Sequence, residues 1–74
     1  MKYLSILRVR DVYGNDHIVG IVDTTIPEDV HAQRAIVQLY CAIECSFAHL
    51  LYFVRIDNNS KPGTVFHYNP AGMY

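Results

Sequence analysis

One helical segment occupies the middle of the chain, where residues 24–45 read TTIPEDVHAQRAIVQLYCAIEC. Thr25 and Glu28 have the spacing of a capping box, in which two side chains satisfy the free N–H groups of a first helical turn. Pro27 is tolerated in that turn because its missing N–H would have had no helical partner there. The residues that follow are rich in Ala, Gln and Leu, which favour helix. We therefore predict a helix from about Ile26 to Cys45.

The segments on either side of this helix are rich in strand-forming residues. Before it, Tyr3 to Val12 and Ile18 to Val22 are separated by the turn residues 13–16, a pattern that predicts an antiparallel hairpin. After it, Leu50 to Ile56 has the strongest strand pattern in the chain. A polar loop with Pro and Gly separates that strand from a short one at Thr64 to Tyr68. We predict that these last two strands form a second hairpin.

The predicted order of elements is β-β-α-β-β, which defines an α+β fold. Its simplest arrangement is a single antiparallel sheet with one helix packed across one face, forming one small domain over residues 1–74. The adjacent apolar residues Ile6 and Leu7 indicate either a strand that is apolar on both faces or a bulge at that point. Gly20, inside the second strand, indicates a bulge or the close approach of another group.

The composition excludes several classes of protein. Hydrophobic residues make up 51% of the chain and charged residues 18%, which is too apolar for a disordered protein. The longest apolar run, Leu50 to Val54, is too short to cross a membrane, and the N-terminus lacks the long apolar core of a secretory signal. A formal net charge of −1 argues against a dedicated nucleic-acid binder. Two cysteines are too few for a disulfide scaffold, so we expect a cytoplasmic protein.

Cys41, Cys45 and His49 are the first candidates for chemistry. Their spacing of four residues would align them along one side of a helix, where two thiolates and an imidazole could bind zinc or supply a nucleophile and a base. Two cysteines on adjacent turns also arise by chance, and buried cysteine is a common small core residue. We interpret both cysteines as core residues and predict no bound metal and no cofactor.

The other signals of catalysis are weak. His17, His31 and His67 are scattered along the chain, and we interpret each as a surface or hydrogen-bonded residue. The glycines are isolated, so they form no phosphate-binding loop, and no two carboxylates have a convincing catalytic spacing. We therefore predict that the protein is not an enzyme.

The arginines raise the question of nucleic-acid binding. Arg8, Arg10 and Arg55 have the aromatic neighbours Tyr3, Tyr52 and Tyr68, and an open sheet face with such residues can bind single strands by stacking. A stacking platform needs aromatic residues on one face, whereas Tyr52 and Phe53 point to opposite faces of a strand. We expect the arginines to be solvated or paired with Asp11, Asp57 or Glu44, and we predict no nucleic-acid partner.

Apolar surface exceeds what one helix and one sheet can cover. The helix carries a broad apolar face and a second one formed by Val30, Val37, Tyr40 and Cys41, with a narrow polar stripe that includes Arg34 between them. The strand Leu50 to Ile56 is likewise apolar on both faces. The surplus would be covered by a partner or, alternatively, by the polar loop 57–63 and the C-terminal tail with Met73 and Tyr74.

These features favour a non-enzymatic protein–protein interaction module that forms a homodimer and docks on a target protein. Its small size is typical of inhibitors and adaptors, including those of phages and other mobile elements. The alternative is a regulatory domain that binds a small ligand at a homodimer interface. The predicted interface residues are Tyr40, Val37, Arg34, Val30 and Tyr52, with Tyr40 the first choice because aromatic side chains dominate interface energetics.

Overall fold

A computed structural model describes residues 1–57 and 59–68 of the chain, except for the side chain of Tyr68. The described residues form four strands and one helix. In chain order these are β1 (Lys2–Asp11), β2 (Asp16–Asp23), α1 (Val30–Cys41), β3 (Cys45–Ile56) and β4 (Val65–Tyr68). The predicted α+β class, the single antiparallel sheet and its one helix are therefore confirmed. No helix among the described residues is long and apolar enough to cross a membrane.

The sheet has the strand order β3-β1-β2-β4, in which every neighbouring pair is antiparallel. The first hairpin, β1 with β2, is as predicted, but the predicted second hairpin is wrong. β4 pairs with β2 at the opposite edge from β3, and the pairing starts where Gly63 N donates to the carbonyl of Val22 at 2.7 Å. This position lets Val65 pack against the core beside Ile21, its partner on β2. The loop 57–64 therefore connects opposite edges of the sheet.

The helix is shorter at both ends than the sequence predicts. Its N-cap is Asp29, whose carboxylate accepts hydrogen bonds from the backbone N–H groups of His31 (2.6 Å) and Ala32 (3.1 Å), so the predicted capping box at Thr25 does not form. The helix ends at Cys41, and its C-cap, Ala42, adopts a left-handed φ of 53°. That conformation is more usual for glycine, so the sequence carried no ordinary stop signal. β3 then starts at Cys45, inside the predicted helix.

The core lies between α1 and one face of the sheet. Its buried side chains come from all of the longer elements: Leu7 and Val9 on β1, Val19 and Ile21 on β2, Ile36 and Val37 on α1, and Cys45 and Ala48 on β3. β1 is central and apolar on both faces, since Ile6 and Leu7 point to opposite sides and both are buried. The bulge lies in the neighbouring strand, where β3 inserts an extra residue at Leu51 opposite the Ile6–Leu7 step.

Candidate interaction surface

The face of the sheet that turns away from α1 is the main candidate site, and we call it the open face. Residues directly opposite one another in an antiparallel sheet share a face, so the strand registers define its members. They are Lys2, Leu4, Ile6, Arg8 and Arg10 on β1; Asp16, Ile18, Gly20 and Val22 on β2; Phe47, His49, Tyr52, Val54 and Ile56 on β3; and Phe66 on β4.

One half of the open face is apolar, with exposed side chains on β3 and β4 and the buried Ile6 and Val22 between them. The side chains of Tyr52, Val54 and Phe66 are 59%, 46% and 44% exposed, although all three belong to strands of the sheet. Between Tyr52 and Phe66 run Ile6 and Gly20, both buried. Gly20 has no side chain, so the surface of the sheet between the exposed rings of Tyr52 and Phe66 is recessed at that position. The result is a shallow apolar surface with aromatic groups on both sides.

The other half of the open face carries charge. Arg8 Nη2 donates to one carboxylate oxygen of Asp16 at 2.8 Å, and Arg10 Nε donates to the other at 3.0 Å. These two guanidinium groups, first Arg8 and then Arg10, lower the pKa of the Asp16 carboxyl. Two positive groups share one negative group, so this half keeps an excess of one positive charge (+2 − 1 = +1). Arg8 and Arg10 therefore pair with Asp16 rather than with the predicted acidic residues Asp11, Asp57 or Glu44.

Aromatic rings continue into this charged half. The guanidinium carbon of Arg10 lies 5.9 Å from the centre of the Phe47 ring, a cation–π distance. Phe47 and His49 stack with their ring centres 6.2 Å apart. Arg55, by contrast, pairs with Tyr3 on the helix side of the sheet, so the three arginines grouped by the sequence do not share a surface.

The predicted interface residues do not form one surface. Val37 is fully buried in the core, and Tyr40 is partly buried against it, so Val37 is excluded from any docking surface of the folded monomer. Arg34 is partly buried, and its Nη2 donates to the carbonyl of Cys45 at 3.0 Å. Val30 and Tyr52 are exposed, but Val30 lies at the start of α1 and Tyr52 lies on the opposite side of the sheet.

The predicted interface residues did not include Val54, Phe66 or Phe47. Val54 could have been added from the sequence, because Tyr52 and Val54 are two residues apart on a strand and must share a face. Adding Phe66 and Phe47 required the strand order and the β3 register, which local patterns do not contain.

Cys41, Cys45 and His49 are not brought together as a site. Cys45 is buried on the helix side of β3, whereas His49 lies on the open face of the same strand. Burial, and to a lesser degree the nearby Cys45, raises the pKa of the Cys41 thiol, which keeps it protonated and a poor nucleophile or metal ligand. Across the ranges 1–57 and 59–68, no three His, Cys, Asp or Glu side chains are grouped so that they could hold a metal ion.

A shallow depression of about 500 Å³ lies at the C-terminal end of α1. Its lining mixes apolar side chains such as Val12 and Ile43 with the polar groups of Arg34, Gln38 and Glu44. The guanidinium of Arg34 is anchored to the Cys45 carbonyl. Cys45 also lines the depression, but its side chain is buried.

Comparison of the chain with protein-family models, with curated protein sequences and with solved structures finds no match.

Proposed function

We propose that this protein is a non-enzymatic interaction module that docks on a target protein through its open face. The observation that carries the proposal is the apolar half of that face, where Tyr52, Val54 and Phe66 stay exposed on strands while α1 covers the other side of the sheet. Exposed apolar groups on one continuous surface are typical of protein-binding sites.

The charged half defines the kind of target. Arg8 and Arg10 share the single carboxylate of Asp16, and their remaining N–H groups can still donate to a further acceptor. A protein surface with apolar side chains beside a carboxylate would complement both halves of the open face. Single-stranded nucleic acid fits less well, because Asp16 offsets part of the positive charge and the whole chain carries a net charge of −1.

Site-specific photo-crosslinking tests this proposal. A photoreactive phenylalanine analogue would replace Tyr52 on the open face or, as a control, Leu39 on α1, which is 74% exposed. In native lysate, position 52 should crosslink to a protein other than a second copy of this chain, and unlabelled wild-type protein should compete for that adduct. Position 39 should give no such adduct.

The captured target then allows a quantitative comparison. Tyr52→Ala should weaken binding by about 2 kcal/mol or more, the usual threshold for a binding hot spot, whereas Leu39→Ala should leave it unchanged. Adducts from position 39 alone, an adduct with nucleic acid, or no competed adduct from position 52 would each contradict docking through the open face.

A further inference from the structure

β3 is an edge strand of unusual length. It has 12 residues and, among the described strands, pairs with β1 alone, whereas β4 at the other edge has four. An edge strand exposes a row of N–H and C=O groups to which another chain can add. Natural proteins usually protect such an edge with lysine, proline, a bulge or a covering element.

The helix protects only the first half of this strand. Gln33 Oε1 accepts from the backbone N–H of Leu50 at 3.0 Å, and Arg34 Nη2 donates to the carbonyl of Cys45 at 3.0 Å. The bulge at Leu51 marks the end of this protected half. None of the side chains that the structure describes hydrogen-bonds to the backbone of Leu51–Ile56, which we call the free edge.

The free edge has the composition of a strand that pairs readily. It reads LYFVRI, with Arg55 as its single formal charge and with no proline, glycine or lysine. Leu51, Tyr52 and Val54 are each more than 40% exposed. Aromatic and β-branched residues of this kind stabilise cross-strand pairs.

We propose that the free edge pairs antiparallel with the free edge of a second copy, forming a homodimer with one continuous eight-stranded sheet. Residues opposite one another must share a face, so a two-fold axis passes through a residue position. An axis at Phe53 places Tyr52 opposite Val54 of the partner subunit, giving two aromatic–aliphatic pairs around a central Phe53 pair. It also places Arg55 opposite Leu51 of the partner subunit, which keeps the two arginines apart.

A second copy fits this edge better than an unrelated extended peptide. In a second copy, Tyr52 lies opposite Val54 on one face and Phe53 lies opposite Phe53 on the other. Arg55, the single cation, lies opposite the apolar Leu51 rather than opposite another cation. The paired segment is about 20 Å long at roughly 3.3 Å per residue. This is small beside a standard interface of about 1,600 Å², so we expect dissociation in the micromolar range or weaker.

The pairing does not depend on the proposed docking function, but it would extend the site. The two-fold axis is perpendicular to the sheet, so both open faces lie on the same side of the dimer. Their apolar halves meet near the axis, because Tyr52 and Val54 belong both to the free edge and to the open face.

Sedimentation equilibrium from low micromolar to near-millimolar protein tests the dimer and its register. Wild type should show a monomer–dimer equilibrium. Leu51→Lys should weaken it about tenfold, because each new lysine lies opposite Arg55 of the partner subunit and like charges directly opposite destabilise a sheet. Leu51→Glu should strengthen the dimer by a similar factor, because the same pairs then attract.

Phe66→Lys on β4 is the matched control, since Phe66 and Leu51 are both 44% exposed. It should leave the dissociation constant of the dimer unchanged while it disrupts target docking. The edge pairing and the docking through the open face can therefore fail separately. Melting curves would verify that each variant is folded. The edge pairing would be overturned by a monomeric wild type at every concentration, by equal dimer constants for the lysine and glutamate variants at position 51, or by loss of the dimer in Phe66→Lys.

Discussion

Asp11 organises the turn between β1 and β2. One of its carboxylate oxygens accepts from the backbone N–H groups of Tyr13 and Asn15, both at 2.9 Å, and the other contacts Nε2 of His17 at 3.0 Å. The hydrogen bond from His17, followed by that from the Asn15 backbone, lowers the pKa of the Asp11 carboxyl from 3.8 to about 2. The folded turn therefore stabilises the charged carboxylate of Asp11 relative to its protonated form.

This pKa predicts how stability depends on pH. A carboxyl whose pKa is lower in the folded state stabilises the fold fully above its unfolded pKa and loses that contribution as pH falls through the folded value. Asp11→Asn should therefore lower the free energy of unfolding at neutral pH, and the deficit should shrink between pH 3.8 and about 2. Denaturation at several pH values measures the deficit, with Asp57→Asn, an exposed position just after β3, as the control. A deficit that is the same at every pH would contradict this role of the charge.

Gly63 is required for a close contact as well as for its backbone conformation. Its φ is 91°, and a Cβ there would lie 3.2 Å from Cε1 of Tyr40. Gly14 has a similar φ of 86° with nothing within 4 Å of its Cβ position. Comparing the same substitution at Gly14 and at Gly63 therefore separates the cost of the positive φ from the cost of crowding against Tyr40.

Both alanine variants should be destabilised by about 1–2 kcal/mol through the positive φ. Gly63→Ala should be destabilised by about a further 1 kcal/mol or more, because the Tyr40 ring must move. Thermal or chemical unfolding of the two variants measures the difference, and Tyr40→Ala combined with Gly63→Ala should remove the extra part. Equal destabilisation of Gly14→Ala and Gly63→Ala would show that Tyr40 does not restrict this position.

At the level of elements, Gln33 connects the helix to the sheet. Its side chain is buried, its Nε2 donates to the carbonyl of Pro27 at 3.0 Å, and its Oε1 accepts from the N–H of Leu50 at 3.0 Å. One amide thus connects the segment before α1 with the bulged part of β3. An apolar residue here would leave the buried Pro27 carbonyl and the partly buried Leu50 N–H without these partners.

Gln33→Leu should therefore lower the free energy of unfolding by roughly 2–4 kcal/mol, since each unsatisfied buried group costs about 1–3 kcal/mol. Gln38→Leu, on an exposed position of the same helix, should change it by less than about 0.5 kcal/mol. Chemical denaturation of both variants provides the comparison. A Gln33→Leu variant as stable as wild type would mean that β3 is positioned by apolar packing alone.

At the scale of the whole molecule, the protein presents two surfaces with different chemistry. The open face offers exposed aromatic groups beside a shared arginine pair, and the free edge of β3 offers unprotected backbone. Both follow from the position of α1, which covers one face of the sheet and whose side-chain hydrogen bonds to the backbone of β3, among the described residues, are at Cys45 and Leu50. Tyr52 and Val54 belong to both surfaces, so a dimer formed through the edge would place two docking sites side by side.

The candidate site could be anticipated only in part. Tyr52 was selected from the strand pattern, and it is the most exposed of the apolar side chains on the open face. The helix residues Val37 and Tyr40 were selected because α1 is apolar around much of its circumference. In the structure Val37 belongs to the core, Tyr40 and Cys41 pack against it, and Tyr40 also lies beside Gly63, whereas Val30 stays exposed. Residues 69–74, including Met73 and Tyr74, lie outside the described part of the chain.

The sequence by itself determined the kinds and order of the elements, including the first hairpin, because turn residues and side-chain periodicity act over a few neighbouring positions. Only the tertiary structure decided that β1 is central, that β4 crosses to β2, and that the helix stops at Cys41 so that β3 can begin at Cys45. Strand order depends on which distant segments bury the most apolar surface together. The helix end depends on the same balance, because pairing Cys45–Leu50 with β1 stabilises the chain more than another turn of helix would.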